Sequence, residues 1–286
     1  MSLSFLSRRL SPAPVESIQR RGILAEVMKT IVAVLLLLLV LGTAPSWSSM
    51  DTELIVLGFS ADGAYIAYQV SGFGTGSALG FSMIQIADAA ANDFATEDFR
   101  VEAYLEEQSL ESMKSAVLSK AQPFLDRYGI VRGNTGSLVY HLQTKTPWER
   151  LIQTEKSTEL ELVDAQGRTV RCELVLEERE VKADYCTNLQ AYDLWPRIFT
   201  LSIRCQESSR VLQADKVLYR SRNCPYAYEV YRVYIYRDRI AVFLNARTAG
   251  WEGDDVYKLV VTGLLDLDLP RRGAPGSIEP CPCLKQ

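Results

Sequence analysis

The run Trp251-Glu252-Gly253-Asp254-Asp255 places three carboxylates within four residues and a tryptophan beside them. Carboxylates a few ångströms apart serve glycoside hydrolysis, one as acid and the other as base or nucleophile. They also hold calcium through hard oxygens. The order of an EF-hand loop is missing, and an acidic glycine turn on a β protein has the same composition. Glu252, Asp254 and Asp255 with Trp251 are therefore candidate ligand-binding residues, with a carbohydrate-active hydrolase as the catalytic alternative. No catalytic residue is assigned.

A second cluster is aromatic. Tyr226, Tyr228, Tyr231, Tyr234 and Tyr236 crowd one segment. At strand period Tyr226, Tyr228, Tyr234 and Tyr236 share one side and Tyr231 faces the other. Tyrosine combines ring area with a hydroxyl, so Tyr228, Tyr234 and Tyr236 are candidates for a sugar-stacking face; packing beneath a neighbouring element is the simpler reading. Arg222, Arg232, Arg237 and Arg239 nearby attract an acidic ligand but do not form an organised nucleic-acid surface.

Other chemistries find little material. His141 is the only histidine, and within Val139-Tyr140-His141-Leu142 it reads as an ordinary strand residue. No G-x-S-x-G elbow accompanies it. A Cys/His zinc site would have one imidazole to draw on. Gly72-Phe-Gly-Thr-Gly-Ser-Ala-Leu-Gly80 lacks the G-K-[ST] ending of a phosphate loop. No cofactor and no metal are expected.

Six cysteines, Cys172, Cys186, Cys205, Cys224, Cys281 and Cys283, all lie in the second half of the 286-residue chain. An even number in an exported chain points to disulfides, and six allow 15 pairings. Export itself is read from Ile31 to Gly42, an apolar run of about a dozen residues, short of the ~20 needed to span a bilayer. Lys29 precedes it and small residues follow, the pattern of a cleaved secretory signal. Cleavage is expected after Ser46 or Ser48, the second slightly favoured. Translation starts at Met1 or at Met28; Gln19-Arg20-Arg21-Gly22-Ile23-Leu24 loosely resembles a twin-arginine signal. The expected organisation is a leader over 1–48, one secreted β-rich domain over 49–270 and a Pro/Gly/Cys-containing tail over 271–286. The net charge of −4 gives no basic excess for a nucleic-acid partner.

The elements that must position these residues are mostly strands. Glu53–Gly58 and Ala64–Val70 flank Asp62-Gly63, a pair suited to a tight turn. Further strands are expected at Ser82–Ala87, Ser137–Leu142, Thr158–Asp164, Thr169–Leu176, Ile198–Cys205, Val211–Arg220, Tyr228–Tyr236, Ile240–Asn245 and Val256–Gly263. Between Glu102 and Tyr128 apolar residues recur at helical spacing, predicting an amphipathic helix, or two broken near Ser109, closed by Gly129. The expected class is mainly β (α+β): twisted antiparallel sheets, sandwich-like or partly propeller-like, with one amphipathic helical segment.

Phe59-Ser-Ala-Asp-Gly-Ala-Tyr-Ile-Ala-Tyr68, continued by Ile84-Gln-Ile-Ala-Asp88, resembles the strand-turn-strand of a TolB-type propeller blade. There Asp62 and Gly63 imply a turn, not catalysis. In order come an export signal, this motif, a glycine loop, Asp88-Ala-Ala-Ala-Asn92-Asp93, Pro123-Phe-Leu-Asp-Arg-Tyr128-Gly-Ile130 and Gly250-Trp-Glu-Gly-Asp-Asp255. Together they resemble the bacterial secreted proteins grouped as domain of unknown function 2259, over about Glu53 to Gly263. The chain departs from that pattern where Gly74 to Gly80 replaces a D-G-S-G-F-P-Y loop. The resemblance implies a secreted or periplasmic address and no reaction. A non-catalytic binding or envelope-associated role is expected, with a glycan or envelope protein as partner, no nucleic acid, and no stable transmembrane span once the signal is cut. A structural stabiliser of the envelope is the remaining alternative.

Overall fold

A computed structural model of the protein describes residues 52–265 except 75–76, 165–166, 191, 207 and 251–253. The leader and its cleavage sites, Trp251, Glu252, Cys281, Cys283 and the tail lie outside the described residues.

Three antiparallel sheets stack face to face. The front sheet contains β1 (Glu53–Phe59), β2 (Tyr65–Phe73), β3 (Leu79–Asp88), the short β4 (Asp93–Phe94) and β5 (Phe99–Tyr104), with β4 and β5 both paired to β3. Helix α1 (Leu110–Arg127) covers its outer side. The middle sheet is built from β6 (Ser137–His141), β11 (Ala227–Tyr236), β12 (Arg239–Ala249) and β13 (Asp254–Leu264), in the order β13-β12-β11-β6. The back sheet has the order β10-β9-β8-β7, from β7 (Glu155–Val163), β8 (Thr169–Glu180), β9 (Arg197–Cys205) and β10 (Ser208–Ala214). Two single-turn helices, α2 (Trp148–Leu151) and α3 (Thr187–Gln190), sit in the connections.

The stacking follows from alternation along β12. Ile240, Val242, Leu244 and Ala246 pack with Leu174, Leu201 and Ile203 of the back sheet. Ala241 and Phe243, between them, pack with Val56, Tyr68 and Val70 of the front sheet. A strand with no solvent face needs apolar residues at successive positions, which is the sense of Ile240-Ala-Val-Phe-Leu244. The sheets thus take the sandwich-like arrangement, and β1, β2, β3 and β5 form a blade-like meander inside it.

The opening hairpin forms as its residues dictate. Gly63 has φ +80°, and the Asp62 carboxylate accepts from the Ser60 hydroxyl at 2.6 Å and the Ala64 amide at 3.0 Å. Gly58 marks a bulge where β1 shifts register against β2; a Cβ there would meet the Val131 carbonyl oxygen at 2.2 Å. The Asp88-to-Asn92 turn is a fastener. Asn92, with φ +54°, accepts from the Thr262 amide at 2.8 Å, and the Thr262 hydroxyl donates to the Asp88 carbonyl at 3.0 Å. The front sheet is thereby tied to β13.

Several expected boundaries move. Residues 102–104, expected to open the helical segment, belong instead to β5, where Phe99, Val101 and Ala103 alternate with more exposed neighbours and pair with β3. The helix begins after Ser109, whose hydroxyl accepts from the Ser112 amide at 3.3 Å, and buries Met113, Val117, Ala121 and Leu125 at four-residue intervals. Gly129, with φ +63°, follows its end. The expected Val211–Arg220 strand is displaced to Ser208–Ala214 and followed by a 3-10 turn. Among the described residues there are thirteen strands.

Four cysteines pair. Cys172 and Cys205 stand directly opposite each other on β8 and β9. Cys186–Cys224 joins the α3 connection to the segment before β11, across 38 residues. In the chain-entropy picture such a loop is stabilised by about 4 kcal/mol.

Truncating Phe243, fully buried between Tyr68 and Tyr234, should separate core from cap effects. Phe243→Ala is expected to lower unfolding free energy by about 3–5 kcal/mol, and Ser109→Ala by about 1 kcal/mol, both measured by urea denaturation.

Candidate functional site

On the face of the middle sheet turned toward the front sheet, β12 is apolar at Ala241 and Phe243. Beyond Phe243 the same face continues with Asn245 and Arg247 on β12, Glu229 on β11 and Lys258 on β13. Asn245 lies directly between Glu229 and Lys258 in the strand register. Its amide donates to Glu229 Oε1 at 2.8 Å, and its oxygen accepts from Lys258 Nζ at 2.7 Å. Arg247 donates to Glu229 Oε1 at 2.8 Å and approaches Asp254 at 3.7 Å. Lys258 Nζ stands 4.2 Å over the Tyr231 ring, which Arg232 and His141 also contact.

This row floors a cleft of about 930 Å³. Its walls come from Thr52 and Glu53 at the start of β1, from Leu142–Lys145 of the β6–α2 connection and from Trp148, the first residue of α2. Trp148, 47% exposed, is propped by Tyr226 with ring centroids 5.8 Å apart. Tyr226 in turn packs beside the Cys186–Cys224 bridge, Leu151 and Leu189. The disulfide therefore fixes the wall that carries the tryptophan.

The electrostatics favour permanent charges. Burial pushes the Glu229 carboxyl up, but Thr146, Asn245 and Arg247 around it outweigh that cost and hold it below the ordinary value. Glu229 is only 4% exposed. A general acid needs the opposite displacement. Tyr226 is pushed up, by burial first and then by Asp254. His141 is pushed down, by desolvation first and then by Arg232, and is neutral at neutral pH.

A second buried polar cluster lies between the back and middle sheets. Glu178 accepts from Lys156, from the Tyr228 amide at 3.0 Å and from Arg197 at 3.4 Å, and Lys156 also donates to the Tyr228 carbonyl at 2.7 Å. Its groups are satisfied within the back and middle sheets, so it is a structural cluster.

The expected site residues are dispersed. Tyr228 is fully buried against Phe199, its hydroxyl donating to the Arg197 carbonyl at 3.1 Å. Tyr234 is buried beside Phe243, and Tyr236 stacks on Phe59. Tyr228 and Tyr234 pack the layers, and Tyr236 is partly exposed beside Phe59 with Arg237 over its ring. The shared parity of Tyr228 with Tyr234 and Tyr236 is also corrected. A bulge between Val230 and Arg232 resets the alternation, so Tyr231, Tyr234 and Tyr236 face the front sheet while Tyr228 faces the back. Of the acidic run, Asp254 reaches the cleft; Asp255 faces the other side with Tyr257. Glu229, Asn245, Arg247, Lys258 and Trp148 were not singled out by sequence, and Tyr231 was noted in the tyrosine run but not as a ligand-binding candidate. For Asn245 and Lys258 a signal was present: each is a polar residue interrupting an apolar run, Ile240-to-Ala246 and Val256-to-Val261. Among the described residues no three His, Cys, Asp or Glu side chains converge as metal ligands, and no helix is long and apolar enough to cross a membrane.

Because the folded-state pKa of Glu229 is depressed, its contribution to stability is full above the unfolded value, near 4.5, and is lost as pH falls through the folded value. The stability gap between the protein and Glu229→Gln should be constant from neutral pH to about pH 5 and narrow below it. Urea midpoints across that range check this.

No curated protein and no solved structure matches the chain significantly. One family pattern does, over residues 67–263, which takes in the strands from β2 to β13 and every residue of the polar row. That span includes both disulfides and accords with a secreted or periplasmic location. The chain belongs to the family of predicted secreted proteins designated domain of unknown function 2259.

Proposed function

We propose that the cleft binds a polar ligand, a glycan of the cell envelope, without converting it chemically. The observation that carries this reading is the composition of the cleft. Glu53, Glu229 and Asp254 are balanced by Lys145, Arg247 and Lys258, and Trp148 and Tyr231 stand beside them. A balanced set of fixed donors and acceptors with an exposed ring suits a hydroxyl-rich ligand of little net charge. A nucleic acid or a strongly acidic polymer would call for an excess of cations. The volume, about 930 Å³, is at the upper end of the range for small-ligand sites and accommodates a few sugar rings.

Glu229, engaged by Arg247 and Asn245, suits an anchoring anion better than a proton donor; of the acids on which the hydrolase alternative rests, Asp254 lines the cleft and Asp255 faces the other side of β13. The test is binding to an array of soluble envelope oligosaccharides, followed by mass analysis of the bound glycan. Retention of at least one glycan class, unaltered in mass, is expected. Trp148→Ala and Lys258→Met should each weaken it at least tenfold, while Val163→Ala, on the exposed edge of the back sheet, leaves it unchanged. A shortened glycan would support the hydrolase, and binding indifferent to both cleft substitutions would overturn the site.

A further inference from the structure

Thr52 and Lys258 have a second side. Beyond them lies a smaller pocket of about 170 Å³, lined chiefly by Val70, Leu79, Phe81, Met83 and Tyr257. It arises because the front sheet overhangs the middle one. Leu79, Phe81 and Met83 are alternate residues of β3, and Phe81 and Met83 belong to the core between these two sheets. The strand opposite them, β13, pairs only with β12 among the described strands, so the middle sheet ends there. Leu79 consequently remains 38% exposed on an otherwise inward-facing row. Arg100 lies across the Phe81 ring at 5.2 Å and is ion-paired with Glu102 at the pocket rim.

The polar cleft and the apolar pocket share Thr52 and Lys258 as a common wall. We propose that the ligand is amphipathic: its polar head lies on the Glu229–Asn245–Lys258 row and a short aliphatic arm enters the pocket behind Lys258. This rests on the glycan-binding reading of the cleft and adds the apolar arm. Lys258 suits the boundary, since its stem is apolar while its ammonium is held by Asn245 and Tyr231. The pocket has room for about six groups of methylene or water size.

The test is titration of the secreted protein with methyl, butyl, hexyl and octyl β-D-glucosides, below their self-association concentrations, followed by NMR. Affinity should rise up to about fourfold per methylene as the pocket fills and level off beyond about six carbons. Leu79→Trp, which fills the pocket, and Leu79→Glu, which makes it polar at the same half-exposed position, should each flatten the series without weakening the methyl glucoside. A flat series in the unaltered protein, with the methyl glucoside bound, overturns the aliphatic arm and leaves the polar cleft standing. A rise that survives both Leu79 substitutions also overturns it, placing the chain elsewhere. Failure of every member to bind overturns the aliphatic arm, while the oligosaccharide array decides separately whether the cleft takes a glycan.

Discussion

A β-sheet covered on both faces has no solvent in which to place a polar side chain, and that constraint governs this protein. The β11–β12 pair lies between two other sheets, and successive apolar residues from Ile240 to Leu244 go to one interface and then the other. Where a polar group stands on these strands it must find partners inside or lie where a covering sheet stops. Glu229, Asn245 and Lys258 do both: they bond to one another across three strands and they line a cleft. A buried charge that loses its partner costs far more than an exposed one, so the row acts as a unit.

The comparison with the Lys156–Glu178–Arg197 cluster sharpens the assignment. Both clusters are buried and both touch β11. Burial raises the Glu178 carboxyl and lowers the Lys156 amine, while Lys156 donates to both Glu178 and the Tyr228 carbonyl. That geometry welds the back sheet to the middle sheet. The Glu229 row instead faces open volume, and its wall is secured by the Cys186–Cys224 bridge through Tyr226 and Trp148. An oxidising compartment therefore bears on the site as well as on the fold: the disulfide that survives outside the cytoplasm holds the ring beside which a ligand would lie.

Much of the architecture was legible. The hairpin at Asp62-Gly63, the β strands after Gly129, the Ser109 break and the exported, disulfide-bonded class follow from turn chemistry, alternation and cysteine number. What was not legible depended on contacts between distant segments. Residues 102–104 fit either the helical spacing that follows or the strand alternation that precedes, and only pairing with β3 decides between them. Tyrosine parity failed at Tyr231 because a bulge leaves no mark in the residue types on either side. Six cysteines could not choose their partners; the β8–β9 register and the closeness of the α3 connection to β11 choose for four of them. The site was missed for a related reason. Acid clusters and aromatic runs are visible as local density, whereas Glu229, Asn245 and Lys258 are far apart in the chain and become one group only across the ladder.

Native-state hydrogen exchange tests the doubly covered sheet most directly. If β12 is enclosed on both faces, the amides of Val242, Phe243 and Leu244 exchange only through global unfolding, with the slowest rates in the protein and a denaturant dependence equal to that of complete unfolding. Exchange of those amides through local opening, faster than in β2 or β8, would contradict it and dissolve the cleft along with the layers that form it.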